Sequence, residues 1–281
     1  MPTLVVTAYC SRISALCGLQ IDKIITVKGL YVFELREKVA LVTGGSRGIG
    51  RAIAVRLAEH GVDLIVNYVR HRKDAEETRK AVEKAGRRCL LVKANVANED
   101  DVKGMFGIIS QEFGRLDILV SNAASGVLKP CLELTERHWD WAMDINARAF
   151  LFLVQQGVPL MGRGSRVIAV SSLGAVRAIE NYTIVGASKA ALESLVRHLA
   201  VELGANGINV NTISAGAVDT DALKKFPNRE EILGTALAKT PLGRLTTPDD
   251  VADVALFLCS PFSAMIQGQV IIVDGGYAIK G

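Results

Sequence analysis

The stretch from Ser171 to Lys189, SSLGAVRAIENYTIVGASK, brings two hydroxyls, a phenol and an ammonium within reach of one another. Tyr182, Val185, Lys189, Leu192, Val196, Leu199 and Leu203 recur at alternating spacings of three and four, so they share one face of a helix. That face should meet the core, and it sets one lysine among leucines and valines, where an ammonium is costly unless a partner or a ligand compensates it. A lysine at the edge of such a stripe can instead run its stem along the apolar surface and keep its charge in water. Tyr182, two turns back on the same face, and Ser172, at the end of an apolar run upstream, argue for a shared cleft in which hydroxyl, phenol and ammonium work on one ligand.

A second constellation lies near the other end of the chain. Thr43–Gly50 reads TGGSRGIG directly after the apolar run VALV. Glycines at 44, 48 and 50 allow a tight turn and a close approach of backbone to a pyrophosphate, whose charge the N-terminus of the next helix can meet. Ordinary strand-to-helix turns also use glycine, so it is the position after the first strand that gives the motif its weight. The end of the second strand then bears on the nucleotide. Dinucleotide binders that prefer NAD hold an acid there for the ribose hydroxyls, whereas this chain has Asn67 followed by Arg70, Arg72 and Lys73, with Arg47 in the glycine loop. A ribose 2′-phosphate would meet two arginines and no carboxylate at 67. Taken singly, each of these cations could equally be a solvated helix start.

Both constellations need a scaffold that brings loops after strands to one edge. From Lys38 onward, apolar runs alternate with amphipathic segments: VALVT, a helix over Arg51–His60, VDLIVNY, a helix over Lys73–Ala85, RCLLVKANV, a helix capped by Asn98 and ending near Phe113, and LDILVSN. A long helix from about Glu136 to Met161 follows, then RVIAVSS, the Tyr182 helix, INVNTIS, a charged helical insertion over Asp221–Thr240, a helix over Pro248–Ser260 and QVIIVDGG. Strands alternating with helices of this length predict right-handed crossovers and a doubly wound α/β fold with a seven-stranded parallel sheet, in one domain over residues 37–281. Ligands of such sheets bind beyond the carboxyl ends of the strands, where Gly44, Asn122, Ser172 and Thr220 fall.

Composition narrows the function classes. In 281 residues, 33 basic and 29 acidic side chains are interleaved, giving a net charge of +4 without any long block of one sign, which speaks against a nucleic-acid partner. The five cysteines lack paired spacing and the four histidines form no ligand pattern, so neither a disulfide framework nor a metal site is predicted and a reducing cytoplasm fits. No later segment has the roughly 18 uninterrupted apolar residues of a membrane span. Residues 1–36 stand apart: apolar at first, yet without a basic start and unbroken apolar run, they read as a poorly ordered extension rather than a targeting peptide.

TGGSRGIG, Asn95 and Val96 after the third strand, SNAASG around Asn122, Asn146 in DINARAF, the serine pair, Lys189, Thr220 and the terminal VDGG together resemble the short-chain dehydrogenase/reductase superfamily from about residue 37 to 281. The resemblance implies that Gly44, Ser46, Arg47, Gly48, Ile49 and Gly50 hold the pyrophosphate side of the cofactor, with Arg70 at its 2′-phosphate. It assigns Asn95 and Val96 to the adenine, Asn122 to a ribose, Lys189 to the nicotinamide ribose and Thr220 to the carboxamide. Ordinary members carry their catalytic tyrosine four residues before the lysine, where this chain has Val185; Tyr182 stands instead. The wider spacing, within SLGAVRAIENY, with HWDW at 138–141 and DTDALKKFPNREE after the sixth strand, is similar to the NADPH-dependent third bacterial type of enoyl-acyl carrier protein reductase. Ser121 where the superfamily usually has asparagine, and Ala215 where it usually has proline, are departures in the cofactor-binding loops.

That resemblance implies an NADPH-dependent reduction of the trans-2 double bond of an enoyl thioester, carried on acyl carrier protein or coenzyme A, in fatty acid synthesis. Tyr182 would serve the enolate oxygen, Lys189 the cofactor, and Ser172 either the thioester or merely the end of its strand. Asn146 is read as straightening its helix or holding water. A homotetramer is implied, with Trp139 and Trp141 in packing or a subunit interface, and residues 221–240 would close over the acyl chain. A helix advances about 100° per residue, so Tyr182 and Lys189 would point within about 20° of each other, about 10 Å apart along the axis. Two other readings stand beside this one: a 3-oxoacyl, alcohol or hydroxysteroid dehydrogenase, and a nucleotide-binding sensor without catalysis.

Overall fold

The computed structural model describes residues 35–219 and 229–280. Seven strands form one sheet in the spatial order β3-β2-β1-β4-β5-β6-β7, every pair parallel. They are β1 (Val39–Val42), β2 (Asp63–Tyr68), β3 (Cys89–Lys93), β4 (Ile118–Ser121), β5 (Arg166–Ser172), β6 (Asn209–Ala215) and β7 (Val270–Val273). The helices are α1 (Gly48–Glu59), α2 (Arg72–Lys84), α3 (Glu99–Phe113), α4 (Glu136–Met143), α5 (Ala149–Gly157), α6 (Thr183–Gly204), α7 (Arg229–Lys239) and α8 (Pro248–Cys259). Strand order reverses between β1 and β4, so the switch point lies where the glycine loop and Asn122 meet.

The strands read as unbroken apolar runs because both faces are covered. Along β1, Ala40 and Val42 pack with Ile53, Leu57, Val251 and Leu256 of α1 and α8, while Val39 and Leu41 pack with Phe106, Phe150 and Val196 of α3, α5 and α6. Alternate residues thus feed two cores, one on each side of the sheet.

Three expectations shift. Leu35, placed in the extension from sequence, is 5% exposed within the α1–α8 core, and its N–H donates to His60 O at 3.0 Å, so the domain begins at least two residues earlier. The long helix predicted from Glu136 to Met161 is three pieces: α4, a π-helical turn over Asp144–Arg148, and α5, which gives way to a short 3₁₀ turn at Val158–Leu160 around Pro159. The proline cannot donate its hydrogen bond, and the π turn has a cause in Asn146, described below. Tyr182 stands just before α6 rather than in its first turn. The insertion holds α7 at Arg229–Lys239; residues 1–34 and 220–228, with Thr220 and the first part of the expected lid, lie outside the described residues. Among the described residues no helix is long and apolar enough to cross a membrane, and no His, Cys, Asp and Glu cluster could hold a metal.

Candidate active site

The glycine loop is built as a cradle. Gly44 has φ +62°, a conformation side chains resist, and a Cβ at Gly50 would collide with Gly44 O and Asn122 Nδ2, so α1 can approach β1 only through a glycine. Thr78 Oγ1 donates to Gly45 O (3.1 Å) and Ser46 O (3.2 Å), and Arg51 Nη2 donates to Ser46 O (2.7 Å) and Asp74 O (2.8 Å), which locks the loop to α2. In front of this loop α1 begins at Gly48 with neither a side-chain cap nor an acid in its first turn. By contrast Asn98 caps α3 and Thr247 caps α8, and both first turns are acidic. A helix start left positive behind a glycine turn suits a phosphate. Arg47 is its N-cap residue, and Arg70 follows the end of the adjacent strand β2, so both cations lie at the same edge of the sheet.

Asn67 does a different job from the one its position suggested. It is 1% exposed; its Oδ1 accepts Gly44 N (3.3 Å) while its Nδ2 donates to Ala94 O (2.9 Å) and Val92 O (3.4 Å). The amide ties β1, β2 and β3 together and does not face a ribose. An acid is missing there because a carboxylate cannot donate to two carbonyls, so the missing acid says nothing about the nucleotide. Asn95 turns its Oδ1 back to Ala97 N (3.1 Å), its own N–H donates to Asp101 Oδ2 (2.7 Å) and its carbonyl accepts Asn98 N (2.9 Å), while Val96 is 3% exposed in the core. Asn122 Nδ2 donates to Thr43 O (2.9 Å) and Gly44 O (3.2 Å), so only its carbonyl oxygen remains for a ligand.

On the other side of the switch point Tyr182 meets Ser172, and Lys189 reaches the same strand, β5. Lys189 does not snorkel: it is 6% exposed, and its Nζ donates to Val170 O at 2.8 Å. Burial lowers its pKa from 10.5 to about 8, and the field of Glu193 works in the opposite direction. Tyr182 OH and Ser172 Oγ lie 3.1 Å apart, and Ser172 Oγ also accepts Gly174 N at 3.1 Å. Burial raises the Tyr182 pKa, so the phenol keeps its proton at neutral pH, the Ser172 bond opposing the shift. The ring packs against Gly174, where any Cβ would strike its Cδ1–Cε1 edge. Val185, one turn before Lys189, is 9% exposed and packs onto Gly126, where a Cβ would meet its Cγ2. The hydroxyl at this site therefore comes from Tyr182.

A match to the family model described as enoyl-(acyl carrier protein) reductase spans residues 44–278. The chain belongs to the short-chain dehydrogenase/reductase family. It is 41% identical over 246 residues to the 1-cyclohexenylcarbonyl-CoA reductase of Streptomyces collinus, covering 87% of this chain and 88% of the relative. To the hydroxynaphthalene reductase-like protein Arp2 of Metarhizium majus it is 39% identical over 254 residues, 86% of this chain and 95% of the relative. Among solved structures, a short-chain dehydrogenase from Burkholderia cenocepacia in complex with NADP superposes with a TM-score of 0.82 at 33% identity, covering 87% and 99% of the two chains. The seven-stranded parallel fold is thus that of a nicotinamide-dependent oxidoreductase of this family.

Three residues of this short-chain dehydrogenase/reductase site escaped sequence reasoning, and a fourth was misread. Asn181, next to Tyr182, has φ +59°, a region asparagine tolerates better than most side chains, and its carbonyl accepts Lys129 N at 3.0 Å. The asparagine beside the tyrosine was the signal available. Asn146 Nδ2 donates to Ser125 O (2.8 Å) and Ser188 Oγ (2.9 Å), and its Oδ1 accepts Ser125 N (2.9 Å). It does not straighten its helix: at the π turn it points inward and clamps the loop after β4 against α6. Ser125 and Ser188 have no periodicity that would mark them.

Proposed function

We propose that this protein is an NADPH-dependent reductase of the α,β-double bond of enoyl thioesters, carried on acyl carrier protein or coenzyme A, as in fatty acid synthesis. The observation that carries it is the origin of the phenol: Tyr182 stands over Gly174 beside Ser172, while position 185 is an apolar filler. A phenol set two turns from Lys189 suits a carbonyl oxygen placed beyond the carbon that is reduced. The similarity to a CoA-linked reductase of a cyclohexenyl thioester supports the same class.

The residues divide the work. The loop Gly44–Gly50 and the bare start of α1 would hold the pyrophosphate, Arg47 and Arg70 a 2′-phosphate, and Asn122 and Lys189 the two riboses; Asn95 and Val96 are assigned the adenine, and Thr220 the carboxamide, on the resemblance alone. NADPH held there would supply a hydride to the β-carbon, and the substrate's α-carbon would take its proton from solvent to complete the reduction. Tyr182, protonated and oriented by Ser172, donates a hydrogen bond to the thioester carbonyl oxygen as it takes up enolate charge, a contribution worth about 3 kcal/mol for comparable oxyanion donors. Lys189, anchored on Val170 O, orients the cofactor ribose. A second copy of the chain is proposed to cover α4, where Trp139 and Trp141 are 53% and 41% exposed, within a homotetramer that light scattering can size. Cys89, Cys131 and Cys259 are free thiols, in keeping with a cytoplasmic setting.

A second reading, a ketone reductase, draws on the hydroxynaphthalene reductase-like relative. Oxidation of NADPH on adding crotonyl thioester, set beside acetoacetyl thioester, separates the two. Tyr182→Phe should lower enoyl turnover about a hundredfold with little change in NADPH affinity. Full activity in that variant, or faster reduction of acetoacetyl than of crotonyl thioester, would overturn the proposal.

A further inference from the structure

Two buried side chains behind the site remain without a role. Glu193 lies one turn after Lys189 on α6, is 4% exposed, and accepts a 2.6 Å hydrogen bond from Ser171 Oγ, which is itself buried. A carboxylate is almost never buried alone, and one hydroxyl fills a fraction of its acceptor capacity. The rest of the compensation is charge, because residues at i and i+4 share a helix face and Glu193 acts on the Lys189 ammonium. Ser171 also sits between the two residues of β5 that matter most: Val170, whose carbonyl holds Lys189, and Ser172, whose hydroxyl touches Tyr182.

We propose that Glu193 is a positioning residue: bonded to Ser171 it fixes the end of β5, and as a buried anion on the Lys189 face it keeps that side chain an ammonium able to hold the cofactor. This rests on the proposed placement of Lys189 at the cofactor and not on the identity of the acyl substrate. The other elements packed against α6 leave the task to Glu193. β6 and the turn Leu173–Ala175 bring no ionisable group, and β5 brings only Arg166 at its far end. The π turn brings Asp144 and Arg148, which pair with each other at 2.9 Å. α4 brings Glu136, Arg137, His138 and Asp140, and Tyr182 stands at the start of α6 itself. Of these described groups none but Glu193 acts on Lys189.

Charge and geometry can be separated. Glu193→Gln keeps an oxygen for Ser171 and removes the charge, Glu193→Asp keeps the charge on a shorter arm, and Ser171→Ala keeps the charge and removes the bond. The readouts are the NMR titration of Lys189 in lysine-labelled protein without cofactor, assigned with Lys189→Arg, and the NADPH dissociation constant from pH 6 to 10. The wild type should titrate near 8. Glu193→Gln should move that midpoint down by about one unit, which makes NADPH binding about tenfold weaker at alkaline pH, while Glu193→Asp and Ser171→Ala hold the midpoint near its wild-type value. An unmoved midpoint in Glu193→Gln, or an equal shift in Ser171→Ala, overturns the proposal. If the glutamine variant does not fold, a wild-type midpoint near the free-lysine value, or a Glu193→Asp protein that titrates a unit lower, does the same. Failure of enoyl reduction itself would show in turnover with crotonyl thioester and leave this titration untouched.

Discussion

Asn67→Asp puts two explanations of one residue in direct competition. Read as a ribose position, an acid at 67 should draw NADH in place of NADPH; read from the structure, it should break the junction of β1, β2 and β3. The substitution preserves volume, so no cavity enters. It removes two donated hydrogen bonds, to Ala94 O and Val92 O, each worth about 1 kcal/mol net. It also leaves a buried carboxylate facing carbonyl oxygens, which adds about 1 to 3 kcal/mol. The expected loss is about 3 to 5 kcal/mol, or roughly 10 °C in melting temperature for a chain of this length. The sign of its pH dependence follows. Burial beside carbonyls raises the folded-state pKa of the introduced carboxyl above its unfolded value near 3.9. The protonated acid can donate to Ala94 O, so that stabilisation is whole below about pH 4 and is lost as pH rises through the folded pKa. Urea unfolding of both proteins between pH 4 and 8 measures the gap, which should widen with pH. A variant as stable as the wild type that prefers NADH would refute the reasoning.

Other outcomes follow from the same geometry. Arg47→Ala and Arg70→Ala should each raise the Michaelis constant for NADPH about tenfold while leaving that for NADH nearly unchanged, as steady-state kinetics with both cofactors will show. Gly174→Ala drives a methyl into the Tyr182 ring and should cut enoyl turnover at least tenfold while the circular dichroism spectrum is retained. In the free enzyme kcat/KM for NADPH should fall as pH rises through about 8, where buried Lys189 loses its proton, and not near 10, where an unburied lysine would.

The seven parallel strands and the turn of the glycine loop were legible because each rests on a local pattern: apolar runs of strand length and glycines at fixed offsets. What escaped depends on partners distant in sequence. Asn67 reads as a strand-end polar residue until Ala94, 27 positions on, is seen to take its amide. Asn146 looks helical because its neighbours are, and only Ser125 and Ser188, 21 positions before and 42 after, turn that helix into a π turn. The pairing of Ser171 with Glu193 hides for the same reason, since α6 must first lie on β5. The start of α6 was misplaced by one residue because Tyr182 continues the stripe while Asn181, at positive φ, interrupts the backbone that should carry it.

The π turn at Asp144–Arg148 has a consequence for insertions and deletions. A π turn holds one residue more than the α-helical turn it replaces, so removing Ala147 would yield the more regular hydrogen-bonding pattern. Because the residue removed is the one the π turn holds in excess, the helix downstream would keep its facing. Phe150, Leu153 and Val154, each at most 2% exposed, would stay in the core, and the loss would fall on Asn146, whose bonds to Ser125 and Ser188 depend on the turn. The length of this segment therefore serves the clamp rather than the core: substitutions at the exposed Arg148 should be tolerated, whereas a single-codon deletion from 144 to 148 should keep the fold and loosen the loop after β4, lowering the melting temperature.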